Sequence, residues 1–166
     1  EDYFPMIVGN HILGGGSLVS LLFEEIRNKR GLSYSVYSYF IPTEIKGPFV
    51  IGLQTNGEKQ NVALAESLKV LRDFIEKGPS VESFNLAKEN LISGFINQIG
   101  SNQKLIGYIS MMGFYQLPLN YLDTFSKKVE EVSIADVRNS FQRRITKDFA
   151  IVMVGSKQQE LNQNER

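Results

Sequence analysis

The side chains that most often carry out catalysis are scarce in this chain of 166 residues. It contains one histidine, His11, and no cysteine, and neither the H-x-x-E-H motif nor its inverted form occurs. A catalytic zinc site takes three nitrogen, oxygen or sulfur ligands, usually with at least two from His or Cys. The sequence therefore predicts no metal site and no catalytic residue within the chain, and it predicts that His11 is packed or lies on a helix face.

The run of glycines at 14–16 admits two interpretations. Gly14, Gly15 and Gly16, followed by Ser17, could hold a phosphate with backbone N–H groups at the start of a helix. No strand is predicted before the run, however, and the G-x-x-x-x-G-K-[ST] motif is absent. A Ser-His-acid triad is disfavoured too, because no G-x-S-x-G elbow occurs. We favour a tight bend between helices or an exposed flexible strip.

Charge and hydropathy argue against two classes of partner. The 18 Lys and Arg residues balance the 18 Asp and Glu residues, so no basic field is available to attract nucleic acid or an anionic membrane. The longest apolar runs, such as 49–53, fall far short of the roughly 20 residues that cross a bilayer. The absence of cysteine leaves the cellular compartment open. Because the chain starts at Glu1 and shows no signal-peptide pattern, we expect it to be a piece of a longer protein.

The N-terminal half is predicted to contain two helices and a β-hairpin. A helix over 1–13 should stop at the triple glycine, and a second helix over 18–29 should begin at an N-cap on Ser17. The apolar period then changes from about 3.6 to about 2 residues, which predicts a strand over 32–40. A second strand over 49–55 should pair with it as an antiparallel hairpin.

The C-terminal half is predicted to be mainly helical. Apolar residues at helical spacing predict a helix over 58–77. Ser80 should then cap a long helix that runs to about residue 116, with a break near 100–102.

The last predicted elements complete the fold class. Asn120 and Ser133 each have an acid three residues later and should cap two short helices, and 149–154 has the composition of a closing strand. Together the elements predict one α+β domain over 1–155, in which a mostly antiparallel sheet is covered by helices on one face. The polar tail over 156–166 should be frayed.

One composite pattern spans the first helices and the first strand. A helix with D-Y-x-x-x-x-x-x-N-x-I-L-G-G-G is followed by a serine, by an R-x-x-x-G-L-x-Y segment at a helix end, and by an aromatic strand. Over about residues 1–155 the chain resembles the second, catalytically silent domain of the M16 zinc peptidases, the family of pitrilysin, insulysin and mitochondrial processing peptidase. The matching positions are Asp2, Tyr3, Asn10, Ile12, Leu13, Gly14, Gly15, Gly16, Ser17, Ile26, Arg27, Gly31, Leu32 and Tyr34.

This resemblance implies a fold and a site. The family has a two-layer α+β roll of the LuxS/MPP metallohydrolase type, with a strand before the first helix that this chain would lack. In the family an Arg/Tyr pair seven residues apart contacts substrate, and Arg27 and Tyr34 have that separation. Both are hydrogen-bond donors that could hold substrate carbonyls. The resemblance also makes the glycines at 14–16 a flexible or cleft-lining element.

Structural explanations exist for the same residues. An Arg such as Arg27 is favoured in the last turn of a helix, and a Tyr such as Tyr34 is ordinary in a strand. Arg30, four residues before Tyr34, competes for the contact with substrate, although its neighbours favour a solvated turn residue. Tyr37 and Tyr39 are predicted to pack or to form a cleft wall.

Two hypotheses about function follow from the resemblance. In the first, the chain is the non-catalytic, substrate-binding half of an M16 zinc metallopeptidase, inactive alone, with zinc and H-x-x-E-H on another domain of the same chain or on a partner subunit. In the second, it is an inactive homologue of the same fold that serves only in assembly. Pairing of two copies through an exposed sheet edge is a further option. We expect a bacterial periplasmic or secreted location, although the sequence does not fix the compartment.

Overall fold

Six α-helices and a β-hairpin form the main regular structure of the described chain. The computed structural model describes residues 1–43, 45, 47–146 and 148–155. In chain order the elements are α1 (Tyr3–Asn10), β1 (Ser35–Phe40), β2 (Phe49–Gln54), α2 (Gln60–Lys77), α3 (Val81–Ile99), α4 (Asn102–Phe114), α5 (Tyr121–Glu131) and α6 (Ile134–Arg144). The predicted α+β class is confirmed. The tail predicted to be frayed, 156–166, lies outside the described residues.

The N-terminal segment contains two π-helical turns, one that includes the first two glycines of the run and one further along the chain. The first, His11–Gly15, continues α1, and the Gly16 N–H donates to the His11 carbonyl oxygen at 2.8 Å. The helical segment therefore ends within the triple glycine, as predicted, although at Gly15 and not at Leu13. Glycine has no Cβ, so the chain can keep its backbone hydrogen bonds in the wider turn. The second π-helical turn is Phe23–Asn28.

The helix that carries this second turn begins later than predicted. Ser17 has a φ of +52° and belongs to a short 3₁₀ turn, Ser17–Val19, so it does not cap the helix. Ser20 takes that place, because its Oγ accepts the Phe23 N–H at 3.4 Å while its hydroxyl donates to the Ser17 carbonyl oxygen at 2.8 Å. Either serine precedes an apolar helical face, so the local pattern alone does not choose between them.

β1 and β2 form an antiparallel hairpin, as predicted, with Val36 opposite Leu53. Val36 and Ser38 are buried, whereas Tyr37 and Tyr39 at the alternate positions are exposed. The hairpin therefore has an inner face toward the helices and an outer face toward solvent.

The core lies between the inner face of the hairpin and the helices. Its most deeply buried large side chains come from the N-terminal helical segments, α2, α5 and α6, and are Val8, Leu13, Leu22, Ile26, Leu71, Val129, Val137 and Phe141. Burial of one such side chain stabilises the fold by about 1.5–3 kcal/mol. The helix α1 approaches α6 so closely that a Cβ on Gly9 would lie 2.3 Å from the Phe141 ring. This packing fixes where α1 and the turns after it lie against the hairpin.

Helix boundaries in the C-terminal half follow the predicted capping signals. Ser80 Oγ accepts a backbone N–H of the first turn of α3 at 3.1 Å, and Ser133 and Asp136 form a reciprocal capping box on α6. Asn120 occupies the N-cap position of α5 but makes no side-chain capping bond. The predicted break lies at Gly100, between α3 and α4.

The predicted closing strand does not form. Residues 149–154 have no strand partner among the described residues. Phe149 packs against the core, whereas 151–154 are exposed, up to 95% at Val154. A strand needs a neighbour for its backbone groups, and an apolar, β-branched composition does not supply one.

Candidate functional site

The connection between the second π-helical turn and β1 carries the predicted Arg/Tyr pair. Gly31 adopts a φ of +57°, a left-handed conformation that suits glycine. Its N–H donates to the Arg27 carbonyl oxygen at 3.0 Å, and the Leu32 N–H donates to that of Ile26 at 2.9 Å. These two bonds end the helix and turn the chain toward β1.

The backbone on either side of Tyr34 is held against the end of β2. Ser33 Oγ accepts the Ser35 N–H at 3.1 Å and lies 2.5 Å from the Gln54 carbonyl oxygen, to which it can donate. Thr55 Oγ1 donates at 2.5 Å to the carbonyl oxygen two residues before Tyr34. Tyr34 is therefore positioned by its neighbours without any contribution from its own side chain.

Arg27 lies at the end of the helix with its guanidinium over an aromatic ring. The Cζ atom is 4.5 Å from the centroid of Phe23, one turn earlier on the same helix. The side chain is half-buried, and it forms no hydrogen bond or ion pair with another described residue. The stacking orients the guanidinium while leaving its N–H donors unoccupied.

Tyr34 presents its phenol to solvent. The residue is 91% exposed, and its hydroxyl has no hydrogen-bond partner in the described part of the chain. Arg27 and Tyr34 thus supply two unoccupied donors from the two ends of one short connection with a firmly bonded backbone.

Arg30, the competing cation, is already paired. Its guanidinium contacts Glu25 of its own helix at 2.6 Å and Glu66 of α2 at 3.1 Å. Hydrogen bonds from Lys29 and then Arg30 hold the pKa of the Glu25 carboxyl below its usual value. Arg30 is exposed in a turn, as predicted, and its ion pairs in addition tie the helix to α2. Arg27 remains the candidate for contact with a ligand.

The three glycines differ in their surroundings. Gly14 is buried, and a Cβ there would lie 2.5 Å from both the backbone nitrogen and the Oγ of Ser38 in β1. Beside Gly14, the Ser38 hydroxyl donates a hydrogen bond to Asn10 Oδ1 at 2.8 Å. Gly15 is exposed and Gly16 is half-buried. Gly14 thus permits a close approach of helix and strand, while a flexible or cleft-lining role for the three glycines stays a prediction.

The described residues do not fit a zinc site. No group of three His, Asp or Glu side chains that could hold a metal occurs among them. His11 Nε2 is buried without a hydrogen-bond partner, and burial lowers the pKa of its imidazole from the usual 6.5. A single imidazole falls short of the three ligands that a catalytic zinc takes from a protein.

A membrane-spanning element is likewise not found: over the ranges that the structure describes, every helix is too short or too polar to cross a bilayer.

Ser33 and Thr55 support the site but were not predicted from the sequence. Their bonds to the Gln54 and Leu32 carbonyl oxygens join residues 21 and 23 positions apart. A serine in a turn and a threonine at a strand end are common, so no local signal marks them.

The described residues form an α+β domain that presents free hydrogen-bond donors on a firmly held connection and contains no metal-ligand set. The family model described as peptidase M16 inactive domain matches residues 1–91. The chain belongs to this family, which confirms the resemblance found in its sequence.

Two curated relatives match most of the chain. The "Uncharacterized zinc protease YmxG" of Bacillus subtilis is 29% identical over 159 residues, which cover 93% of this chain and 37% of the relative. The "Non-peptidase homolog YmxG" of Helicobacter pylori is 30% identical over 165 residues, or 96% of this chain and 37% of the relative. The chain therefore spans about 37% of the length of these curated relatives.

A solved structure supports the fold. The crystal structure of a peptidase M16 inactive domain from Pseudomonas fluorescens has a TM-score of 0.81 and 36% identity to this chain, covering 87% of this chain and 34% of that one.

Proposed function

We propose that this domain is the substrate-binding half of an M16-type zinc metallopeptidase, inactive alone. The zinc and the H-x-x-E-H motif would lie on another domain of the same protein or on a partner subunit. The observation that carries the proposal is the pair of unoccupied donors, Arg27 and Tyr34, on a connection held by backbone hydrogen bonds. Membership of the M16 inactive-domain family supports it.

The two donors suit the backbone of a bound peptide. A guanidinium donates hydrogen bonds to carbonyl oxygens and carries a full positive charge, whereas a phenol donates one hydrogen bond and adds an apolar ring. During hydrolysis of an amide, negative charge develops on the carbonyl oxygen, and donors that are fixed beforehand stabilise it without reorganisation. The Phe23 ring orients Arg27, and the bonds of Ser33 and Ser35 fix the backbone at Tyr34. We therefore assign the pair to holding peptide carbonyls and supporting the oxyanion.

The proposal is tested in the complete assembly, recovered from the native source through a tag on this chain. Arg27→Ala and Tyr34→Phe are each expected to lower turnover of a fluorogenic peptide by roughly 10- to 1000-fold, because each removes a donor from the charged oxygen. Circular dichroism of each variant shows whether the fold is intact.

Two matched variants remove the same groups elsewhere. Arg72 is exposed on α2, and the Tyr115 hydroxyl donates to the Pro42 carbonyl oxygen at 3.0 Å. Arg72→Ala and Tyr115→Phe should keep turnover within about twofold of the wild type, as is usual for exposed substitutions outside a site. Wild-type turnover in both Arg27→Ala and Tyr34→Phe would contradict the assignment of the pair.

A second candidate function is assembly without peptidase activity. The H. pylori relative carries the name non-peptidase homolog, so a protein this similar is not regarded as a peptidase. Under this alternative the tagged chain would recover structural partners but no subunit with H-x-x-E-H, and the assembly would cleave no peptide. Pairing of two copies through a free edge of the hairpin belongs to the same alternative, and analytical ultracentrifugation would detect it.

A further inference from the structure

The outer face of the hairpin carries two stacked tyrosines. Tyr37 and Tyr39 have ring centroids 6.1 Å apart and ring planes inclined by 20°. They remain 47% and 41% exposed although they lie side by side. The register places uncharged residues on the rest of this face, namely Ser35, Val50, Gly52 and Gln54.

The absence of a side chain at Gly52 leaves room for the Tyr37 ring. The two residues are opposite each other in the hairpin, and a Cβ on Gly52 would lie 2.6 Å from both Cζ and Oη of Tyr37. The ring therefore lies over the backbone of β2, and Tyr39 stacks beside it. A surface ordered in this way before binding loses little conformational entropy when a ligand packs on it.

An uncharged aromatic platform selects its ligand by shape and polarity. Aromatic side chains stack favourably on tyrosine rings, and the apolar ring of proline can pack on the same surface. A charged side chain would lose hydration here without gaining a charged partner, because none of the outward-facing residues of β1 and β2 is ionisable apart from the two phenols. The chemistry of the face therefore matches aromatic residues or proline.

Tyr34 of the donor pair comes directly before β1, the strand that carries both platform tyrosines. Tyr34 precedes Tyr37 by three residues, and a chain spans at most about 3.6 Å per residue, so their Cα atoms lie within roughly 11 Å. An extended peptide of about five residues is long enough to reach from Tyr34 to Tyr37. We propose that Tyr37 and Tyr39 form a subsite for an aromatic or proline side chain of the peptide held by Arg27 and Tyr34, an inference that rests on the proposed function.

The test is an NMR titration of the full chain with capped octapeptides of Gly and Ser whose fourth residue is Phe, Pro, Ala or Asp. The Phe and Pro peptides are expected to bind roughly 3- to 10-fold more tightly than the Ala peptide, and the Asp peptide should bind least well. Tyr37→Ala and Tyr39→Ala should each remove most of this preference. Shifts of the amide resonances of 35–40 and 49–54 locate the contact.

Two further variants test whether the position of the Tyr37 ring matters and whether an exposed aromatic ring elsewhere contributes to the preference. Gly52→Ala keeps both tyrosines but places a methyl group where the Tyr37 ring lies, so the preference for Phe should fall. Phe114→Ala removes an aromatic ring that is 77% exposed on α4 and should leave the preference unchanged.

The outcomes distinguish the subsite from the donor pair. An unchanged preference for Phe in Tyr37→Ala and Tyr39→Ala overturns the subsite, and the donor pair stands if Arg27→Ala still weakens all four peptides alike. If neither Arg27→Ala nor Tyr34→Phe alters the binding of any peptide, the proposed function fails. The subsite then fails too, because it was proposed for a peptide held by Arg27 and Tyr34. Binding of maltohexaose in place of the peptides, or self-association that Tyr37→Ala abolishes, would identify another occupant and overturn the proposal.

Discussion

At the scale of single residues, the fold controls the protonation of His11. The imidazole lies in the first π-helical turn with Nε2 buried and unpartnered, so burial keeps its pKa below the usual 6.5. The unfolded chain then binds a proton at a higher pH than the folded chain does. The stability that the neutral imidazole contributes is present above about pH 6.5 and is lost as the pH falls toward the folded pKa.

We expect the urea midpoint of the wild type to fall between about pH 7.5 and about pH 5, and to fall less in His11→Gln, which cannot take up this proton. Equilibrium unfolding followed by circular dichroism measures both. Parallel pH profiles for the two proteins would show that His11 is not the responsible group.

The parts of the candidate site that lie close together in the sequence could be predicted, whereas contacts between distant residues could not. Arg27 and Tyr34 lie on one continuous segment, so their spacing and the intervening Gly31 are visible in the sequence. The difference between Arg27 and Arg30 is not visible, because it depends on Glu66 in α2 reaching Arg30 at 3.1 Å. Contact of the pair with substrate stays a prediction.

At the scale of elements, local signals predicted most of the fold. Helical periodicity and serine caps marked α2, α3 and α6, and alternation marked the hairpin, because each signal lies within the element that it forms. The two errors are the helix start at Ser17 and the closing strand over 149–154. Ser20 caps the helix in place of Ser17, a choice that the local pattern leaves open, and 149–154 stays unpaired because no described strand lies beside it.

The contact of Gly14 with β1 predicts a strong effect of a single methyl group. Gly14→Ala would place a Cβ 2.5 Å from the backbone nitrogen of Ser38 and 2.8 Å from Leu22 Cδ1. Overpacking of this kind costs about 1–3 kcal/mol of the free energy of unfolding. Urea denaturation measures the loss.

Gly107→Ala is the matched control for this substitution. Gly107 lies within α4, and no atom is near a Cβ built there. Alanine should stabilise this helix by up to about 1 kcal/mol. Equal effects of the two substitutions would argue against a tight contact at Gly14.

At the scale of the whole molecule, one carboxylate joins the first helix to the last. Asp2 precedes α1 and accepts hydrogen bonds from Arg143 at 2.6 Å and from Arg144 at 2.5 Å at the end of α6. The hydrogen bond from Arg143, opposed by burial and assisted by Arg144, lowers the pKa of the Asp2 carboxyl from its usual 3.8. The N-terminal segment that carries the candidate site is thereby tied to the C-terminal helix.

Asp2→Asn is expected to lower the free energy of unfolding by about 1–2 kcal/mol at neutral pH, a loss limited by the solvent around the two arginines. Because the pKa of Asp2 is lower in the folded chain, the stabilisation is fully present above about pH 3.8, the usual pKa of the group. It is lost as the pH falls through the pKa of the folded state. The urea midpoints of variant and wild type should therefore converge once the pH falls below the folded pKa of Asp2.

Asp73→Asn serves as the control for this variant. Asp73 pairs with Lys77 one turn away on the exposed side of α2. Its substitution should hardly change the midpoint, because such pairs contribute little. A difference in urea midpoint between Asp2→Asn and the wild type that stays constant down to low pH would contradict an ionic contribution of Asp2 to stability.

The π-helical turns affect how the chain between Asn10 and Tyr34 can vary in length. Each such turn accommodates one residue more than an α-helical turn would. Deletion of a single residue from 11–15 would remove that extra residue and let the segment close into an ordinary α-helical turn, with little change in the direction of the chain after it. A relative that has an ordinary α-helix at this place should therefore align with a gap of one residue within 11–15.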